Sequence, residues 1–337
     1  MDLFALTRQL VDIESITGNE AAVGELLDRS LNLLDYDTQR VPVEDNRFNI
    51  FAVPSGSPKP VLVFSTHMDV VPPWLPSSED EHNIYGRGSC DAKGIIAAQI
   101  GAAERLRTEN LPIGLLFVVG EERSSVGAFV ANAKAHELHG GSCKFLINGE
   151  PTDNRIAIAS KGGLRVEVTA QGKLAHSAYP HLGDSAIEKL LTALERLRRV
   201  PLPENPEVGP CTMNIGVIEG GHAPNVIADK ARAQLLYRLV GPSDELRKQI
   251  AAAVGDQAQV EFPLEIPFLK LRTVDGIPTM TASFTTDIPA LTNWGEPVLL
   301  GPGSIHVAHT EREFVAKQDL LDAVELYCRV AKALLSR

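Results

Sequence analysis

The chain has 337 residues, 44% hydrophobic and 22% charged, with a formal net charge of -11 at pH 7. That length favours two domains over one, and the composition is that of a soluble globular protein. The negative balance argues against nucleic acid or an anionic membrane as a partner, and no apolar run approaches the roughly 20 residues that span a bilayer. Four separated cysteines (Cys90, Cys143, Cys211, Cys328), with no C-x-x-C pair, point to a reducing compartment, the cytoplasm by default.

Leu3, Leu6, Leu10 and Ile13 have the spacing of an amphipathic first helix, and the acids around them are unlike a signal peptide. Strand-like residues at 48–53 and turn residues at 54–60 follow. The apolar run Val61-Leu62-Val63-Phe64 then stops on Ser65-Thr66-His67-Met68-Asp69. After a Pro-, Ser- and acid-rich loop at 72–83, Gly86-Arg87-Gly88-Ser89-Cys90-Asp91 leads into an apolar helix reaching Leu106. The run from Leu115 to Val119 stops on Gly120-Glu121-Glu122, a helix is expected over 125–136, and Phe145-Leu146-Ile147 stops on Asn148-Gly149-Glu150. Continuous apolar strands alternating with helices predict a doubly wound, mostly parallel α/β sheet.

The pattern changes at Leu164–Ala170, which alternates strictly, as a strand with one wet face does. A helix at 185–199, strands at 213–218 and 226–239, a helix at 243–253 and a strand at 259–262 complete two β-α-β-like units. They predict a ferredoxin-like α+β domain at 162–269, inserted into a catalytic domain made of 1–161 and 270–337. Val298-Leu299-Leu300 and a long helix from Lys317 return the chain to α/β character.

Ligands gather at the carboxyl ends of parallel strands, and here those ends carry ionisable residues. His67, Asp91, Glu122 and Glu150 are candidate metal ligands, with late histidines at His306 and His309. Asp69 is placed to hold the second ring nitrogen of His67. Three carboxylates brought together without cations must protonate or disrupt the site; two divalent ions and one hydroxide balance Asp91, Glu122 and Glu150 to zero. Oxygen and imidazole donors suit zinc, cobalt or manganese, and zinc is the choice made. Singly, each residue has an ordinary structural role: a hydrogen-bonded histidine, a helix cap, a solvated acidic pair, a turn before Pro151. Their recurrence at successive strand ends points to metal. Gly86-x-Gly88 lacks the dinucleotide fingerprint, and no G-x-S-x-G elbow is present.

Thr66-His67-Met68-Asp69-Val70-Val71-Pro72, Gly86 to Gly94, Glu121-Glu122 and Gly149-Glu150-Pro151-Thr152 together resemble the dinuclear zinc amidohydrolase/peptidase family. That family includes acetylornithine deacetylase, succinyl-diaminopimelate desuccinylase, aminoacylase and carboxypeptidase G. Gly301-Pro302-Gly303-Ser304-Ile305 with Ala308-His309-Thr310-x-x-Glu313 is most similar to the acetylornithine or acetylcitrulline deacetylase branch. The resemblance implies two ions bridged by Asp91, one held by His67 and Glu150 and the other by Glu122 and His309. It implies Glu121 as general base, Asp69 as a further catalytic residue and His176, in Gly172–Ala178, as an oxyanion donor from the same or a neighbouring subunit. It implies substrate contacts from Arg238, Asn225, Gly301, Gly303 and Ser304, a lid that carries a homodimer contact, and a structural Cys90. The implied reaction is hydrolysis of an N-acyl amino acid, N-acetylornithine or N-acetylcitrulline, in arginine biosynthesis. A dipeptidase, a desuccinylase or a hydrolase of carrier-linked lysine or ornithine is the alternative, and an inactive metal-binding protein is the alternative of another class.

Overall fold

The computed structural model describes residues 1–336. They divide into two units, one made of residues 1–158, 271–280 and 286–336, the other of residues 159–270 and 281–285. The first begins with α1 (Leu3–Val11), α2 (Ala21–Leu33), β1 (Tyr36–Glu44), β2 (Arg47–Pro54), β3 (Leu62–His67), α3 (Lys93–Arg107) and β4 (Ile113–Val118). It continues with α4 (Val126–Ala133), α5 (Ala135–His139) and β5 (Phe145–Asn148). The second contains β6 (Gly162–Gln171), α6 (Ala186–Leu197), β7 (Thr212–Gly220), β8 (Lys230–Leu239), α7 (Asp244–Val254) and β9 (Gln259–Ile266). β10 (Glu296–Leu299) and α8 (Lys317–Leu335) close the first unit.

The sheet of the first unit has the order β1-β2-β4-β3-β5-β10, parallel from β4 to β10, with an antiparallel β1–β2 hairpin at one edge. β3 and β4 are buried at every position, as strands covered on both faces must be. Successive side chains face opposite sides, so Phe64, Leu115 and Phe117 join one core while Val63, Leu116 and Val118 join the other. The first core takes Leu10 of α1, Leu27 and Leu31 of α2, Ile96 of α3 and Tyr327 of α8. The second takes Ala128, Ala131, Leu138 and Trp294. Helices on both faces leave the carboxyl edge of the sheet as the place where polar side chains collect. Among the described residues no helix is long and apolar enough to cross a membrane.

Two of these elements escape the sequence reading. α2 buries Val23, Leu27 and Leu31 at four-residue spacing, but polar residues and Gly24 interrupt the pattern. β1 is an edge strand, where Pro42 and exposed charges are tolerated, so it does not read as a core strand.

In the second unit the order is β7-β8-β6-β9, all antiparallel. This is the ferredoxin-like arrangement, with one helix inside each β-α-β half. Leu164, Val166, Val168 and Ala170 of β6 are buried, as are Leu190, Leu194 and Leu197 of α6 and Leu246, Ile250 and Val254 of α7. The Ser185 hydroxyl caps α6 by accepting from Glu188 N–H at 3.3 Å. The strand expected over 226–239 is interrupted: Val226–Ile227 pair with Ala175–His176, and Lys230–Leu239 join the sheet.

The start of α3 lies hard against the loop before it. A Cβ at Gly94 would sit 2.2 Å from the Ser89 carbonyl oxygen. Gly94→Ala is therefore expected to destabilise the protein by about 1–3 kcal/mol through overpacking, read as a lower urea midpoint at constant m-value. An unchanged midpoint would mean that loop and helix can move apart freely.

Candidate metal centre

Each donor stands where an apolar element gives out. His67 ends β3, Glu121 and Glu122 follow β4, Glu150 follows β5, Asp91 precedes α3, and His309 sits in the loop after β10. Three groups form, each with its ligand atoms within 4.8 Å of one another: His67, Asp91 and Glu150; His67, Glu121 and Glu122; and Asp91, Glu122 and His309. Asp91 belongs to two of them. One carboxylate oxygen lies 3.0 Å from His67 Nε2 and the other 3.4 Å from His309 Nε2. His309 Nε2 also lies 3.0 Å from Glu122 Oε1. His306 is exposed and belongs to no such group.

Asp69 does something other than the sequence suggests. The Nδ1 atom of His67 is 2.9 Å from the backbone carbonyl of Asp69 and 3.6 Å from its carboxylate. The carbonyl therefore holds the ring with a proton on Nδ1, so that Nε2 is the nitrogen that can offer a lone pair once it gives up its own proton. The carboxylate instead accepts from the N–H groups of Gly120 (2.9 Å), Glu121 (3.1 Å) and Glu122 (3.2 Å), and from the Thr17 hydroxyl (2.8 Å). It organises the turn that lets adjacent glutamates reach one site. Gly120, at φ 81°, makes that turn possible.

The electrostatics show how crowded the acids are. Burial, then the Glu150 charge, pushes the Glu121 carboxyl well up, although that residue keeps some access to solvent. Burial, then Asp91, does the same for Glu150, and burial raises Glu122 against its hydrogen bond from His309. Burial opposes ionisation of Asp91 too, but hydrogen bonds from His309 and His67 hold it below the usual carboxylate range. His309 is raised to about 10 by its bonds to Asp91 and Glu122. His67 is also raised, since the Asp91 hydrogen bond and charge outweigh its burial. Glu150 Oε1 is buried with no hydrogen-bond partner among the described residues. A sealed, unpartnered carboxylate oxygen in a cluster of surplus acid is what cations satisfy. The donor set of imidazole and carboxylate fits two divalent ions.

The remaining expected residues fall into two sets. Gly301, Gly303 and Ser304 belong to the first unit, but their backbone groups are largely committed there. Gly301 N–H donates to Thr152 Oγ1 at 2.9 Å, its carbonyl accepts from Asn154 N–H at 2.9 Å, and the Gly303 carbonyl accepts from Asp153 N–H at 2.7 Å. These groups bind the loop to the segment after Glu150. Cys90 is buried and its Sγ lies 3.5 Å from the Ser304 carbonyl. His176, Asn225 and Arg238 belong to the second unit. There His176 Nδ1 accepts from Ala178 N–H at 3.1 Å, which assigns the ring proton to Nε2. The Asn225 carbonyl accepts from Ser177 N–H at 3.0 Å. Arg238 is partly buried on β8, and burial lowers its pKa.

Three residues gain importance that sequence reading did not assign. Glu313 and Arg87 form a fully buried ion pair at 2.5 Å under the loop carrying Asp91; the A-H-T-x-x-E phrase contained Glu313 but not its purpose. Asp287 is buried beside the cluster, its carboxyl pushed up to about 7 by burial despite a hydrogen bond from Ser125. It lies in a stretch with no periodic signal.

Residues 158–261 match the family model described as the peptidase dimerisation domain. A protein of Aspergillus terreus called a probable carboxypeptidase is 38% identical over 367 residues, covering 97% of this chain and 85% of that protein. The chain belongs to the M20 peptidase family. It is thus a hydrolase of amide bonds with an α/β fold and a dimerisation domain. Two solved structures share that fold. A tripeptidase from Staphylococcus aureus has a TM-score of 0.81 at 22% identity over 98% of each chain. A Bacillus subtilis protein described as a dinuclear metal-binding peptidase of this family has a TM-score of 0.71 at 17% identity, over 99% of this chain and 98% of that one.

His309, raised to about 10, holds a proton near neutral pH that a divalent cation must displace. Titrating metal-free protein with zinc should release protons, seen as a calorimetric heat that changes with the ionisation enthalpy of the buffer. Affinity should fall as pH drops. A heat independent of buffer would show that the cluster is already deprotonated.

Proposed function

We propose that this protein is a carboxypeptidase-like amidohydrolase that releases an amino acid with a free α-carboxylate from a short peptide or an N-acyl amino acid. The observation carrying this reading is the near full-length similarity to probable carboxypeptidases, joined to a donor cluster that holds a glutamate beside its ligand candidates. In this reading His67 and Glu150 hold one ion, Glu122 and His309 the other, and Asp91 lies between them. Zinc is the proposed metal. When bound, the ions polarise the scissile carbonyl and acidify a water molecule.

Glu121 is the proposed general base and acid. Burial and the Glu150 charge raise its carboxyl, the direction that suits accepting a proton from water and passing it to the departing amine. The Nε2–H of His176, fixed by its Nδ1 bond to Ala178, is the proposed donor to the developing oxyanion, from this chain or from a second copy. Arg238 and Asn225 are the proposed partners of the substrate carboxylate, with a guanidinium suited to bidentate pairing. The Ser304 hydroxyl is a further proposed contact. We also propose a homodimer through the domain at 162–269 and a cytoplasmic setting, which four free cysteines favour. N-acetylornithine or N-acetylcitrulline deacetylation in arginine biosynthesis is the narrower reading. It rests on the Gly301–Ile305 and Ala308–Glu313 segments and stands second, since the similar proteins carry a carboxypeptidase name.

The test is a hydrolysis assay of metal-loaded protein on dipeptides, N-acetyl amino acids and their C-terminally amidated forms. Cleavage should need the free carboxylate; equal rates on amidated substrates would overturn the proposed specificity. Glu121→Gln is expected to retain its metal and lose about 10²–10⁴ in rate, roughly 3–5 kcal/mol of transition-state stabilisation. Normal turnover in that variant would remove Glu121 from the role. His176→Ala should lower kcat at unchanged metal content, and an unaltered kcat would reject the oxyanion contribution.

A further inference from the structure

The loop from Gly86 to Asp91 has an unusual anchor. Oε1 of Glu313 accepts from three backbone N–H groups of that loop: Gly88 at 2.9 Å, Asp91 at 3.1 Å and Cys90 at 3.2 Å. Oε2 accepts from Arg87 Nη1 at 2.5 Å, and Arg87 Nε donates to the Pro73 carbonyl at 3.2 Å. The main chain takes part as well, since Gly86 N–H donates to the Glu313 carbonyl at 3.1 Å. Both side chains are about as buried as any in the protein, each 1% exposed. Gly86 and Gly88 have φ of 128° and 88°, so the loop follows a path that turns its amides inward onto this one carboxylate.

A buried ion pair alone adds little stability, so its position has to be explained. The amide of Asp91 is one of the three held, and the Asp91 carboxylate stands between His67 and His309. Glu313 is four residues beyond His309. One carboxylate thus ties together the two loops that bring Asp91 and His309 to the centre.

We propose that Glu313, neutralised by Arg87, is a positioning residue that sets the metal affinity of the centre by locking the Asp91 loop to the His309 loop. This rests on the reading of the cluster as a metal centre. Glu313 touches neither substrate nor reacting atoms; it acts through Asp91. Gln is nearly the same size but cannot serve both sides. If its carbonyl oxygen accepts from the loop amides, its NH2 group meets the guanidinium, donor against donor.

The experiment measures zinc dissociation from purified full-length protein by competition with a chromophoric chelator, alongside urea unfolding of the metal-free protein. Glu313→Gln is expected to weaken binding about 10–100-fold, the range for loss of a residue that orients a ligand. Leu334→Ala, a buried position on α8, should lower the unfolding midpoint and leave zinc affinity alone. Arg87→Lys retains the charge but cannot reach both Glu313 and the Pro73 carbonyl, so it should weaken zinc several-fold, and it decides the matter should Glu313→Gln not fold. Zinc affinity equal to wild type in the folded variants, or affinity lost in proportion to stability in all three, would overturn the proposal. Failure of the wild-type protein itself to bind zinc would instead remove the metal reading beneath it.

Discussion

Crowding of acid groups at one edge of the sheet is the constraint on which the rest of the structure depends. Asp91, Glu121, Glu122 and Glu150 share a space with His67 and His309, the only histidines in the three donor groups among the described residues. In water such carboxylates would all be ionised; here burial raises three of them and only Asp91, flanked by both imidazoles, is lowered. An arrangement so short of positive charge stores electrostatic free energy that divalent cations release. The fold tolerates it because the central strands beneath are buried along their whole length, with cores on both faces. Their polar termini can therefore be held close without the sheet giving way.

Charge on the site's supports is neutralised in a different way from charge at its centre. Asp69 and Glu313 are both buried carboxylates outside the three donor groups, and each accepts three backbone N–H groups from a loop that presents candidate ligands. Fixed peptide dipoles stabilise these anions without a cation in the centre. Asp69 shapes the turn of Glu121 and Glu122, while Glu313 shapes the loop of Asp91. Two acids that touch no ion in the proposed scheme thus determine where those proposed to touch one can stand.

This division explains what was legible in the sequence. The donors could be read because an apolar run that stops abruptly on His67, Glu121-Glu122 or Glu150 is a local signal, and parallel-sheet physics says where its end must lie. The ferredoxin-like order was legible for the same kind of reason, from alternation in Leu164–Ala170 and the helices between strands. The supports were not. Arg87 and Glu313 meet across 226 positions, and a carboxylate whose partners are backbone amides leaves no complementary side chain to find. Asp69 was assigned to the correct neighbourhood and the wrong atoms, because its own carbonyl, which no sequence displays, takes the His67 bond. Likewise, α2 and β1 lie at the margin of the sheet, where polar residues are admitted and periodicity weakens.

The small residues at 301–304 have a packing role that the sequence does not display. In the fold their compactness serves packing: a Cβ on Gly301 would lie 2.6 Å from the Glu150 carbonyl oxygen, and one on Gly303 would lie 2.6 Å from Cys90 Sγ. The segment is pressed simultaneously against the residue after β5 and the loop before α3, both of which present candidate ligands. Close approach of three loops is a demand that excludes larger side chains there. The same demand keeps Cys90 small and buried between Glu313, which accepts its N–H, and Ser304, whose carbonyl its thiol faces. The acidic centre is therefore bordered by closely packed loops, and that packing restrains the loops that carry Glu150 and Asp91 once the sheet has formed.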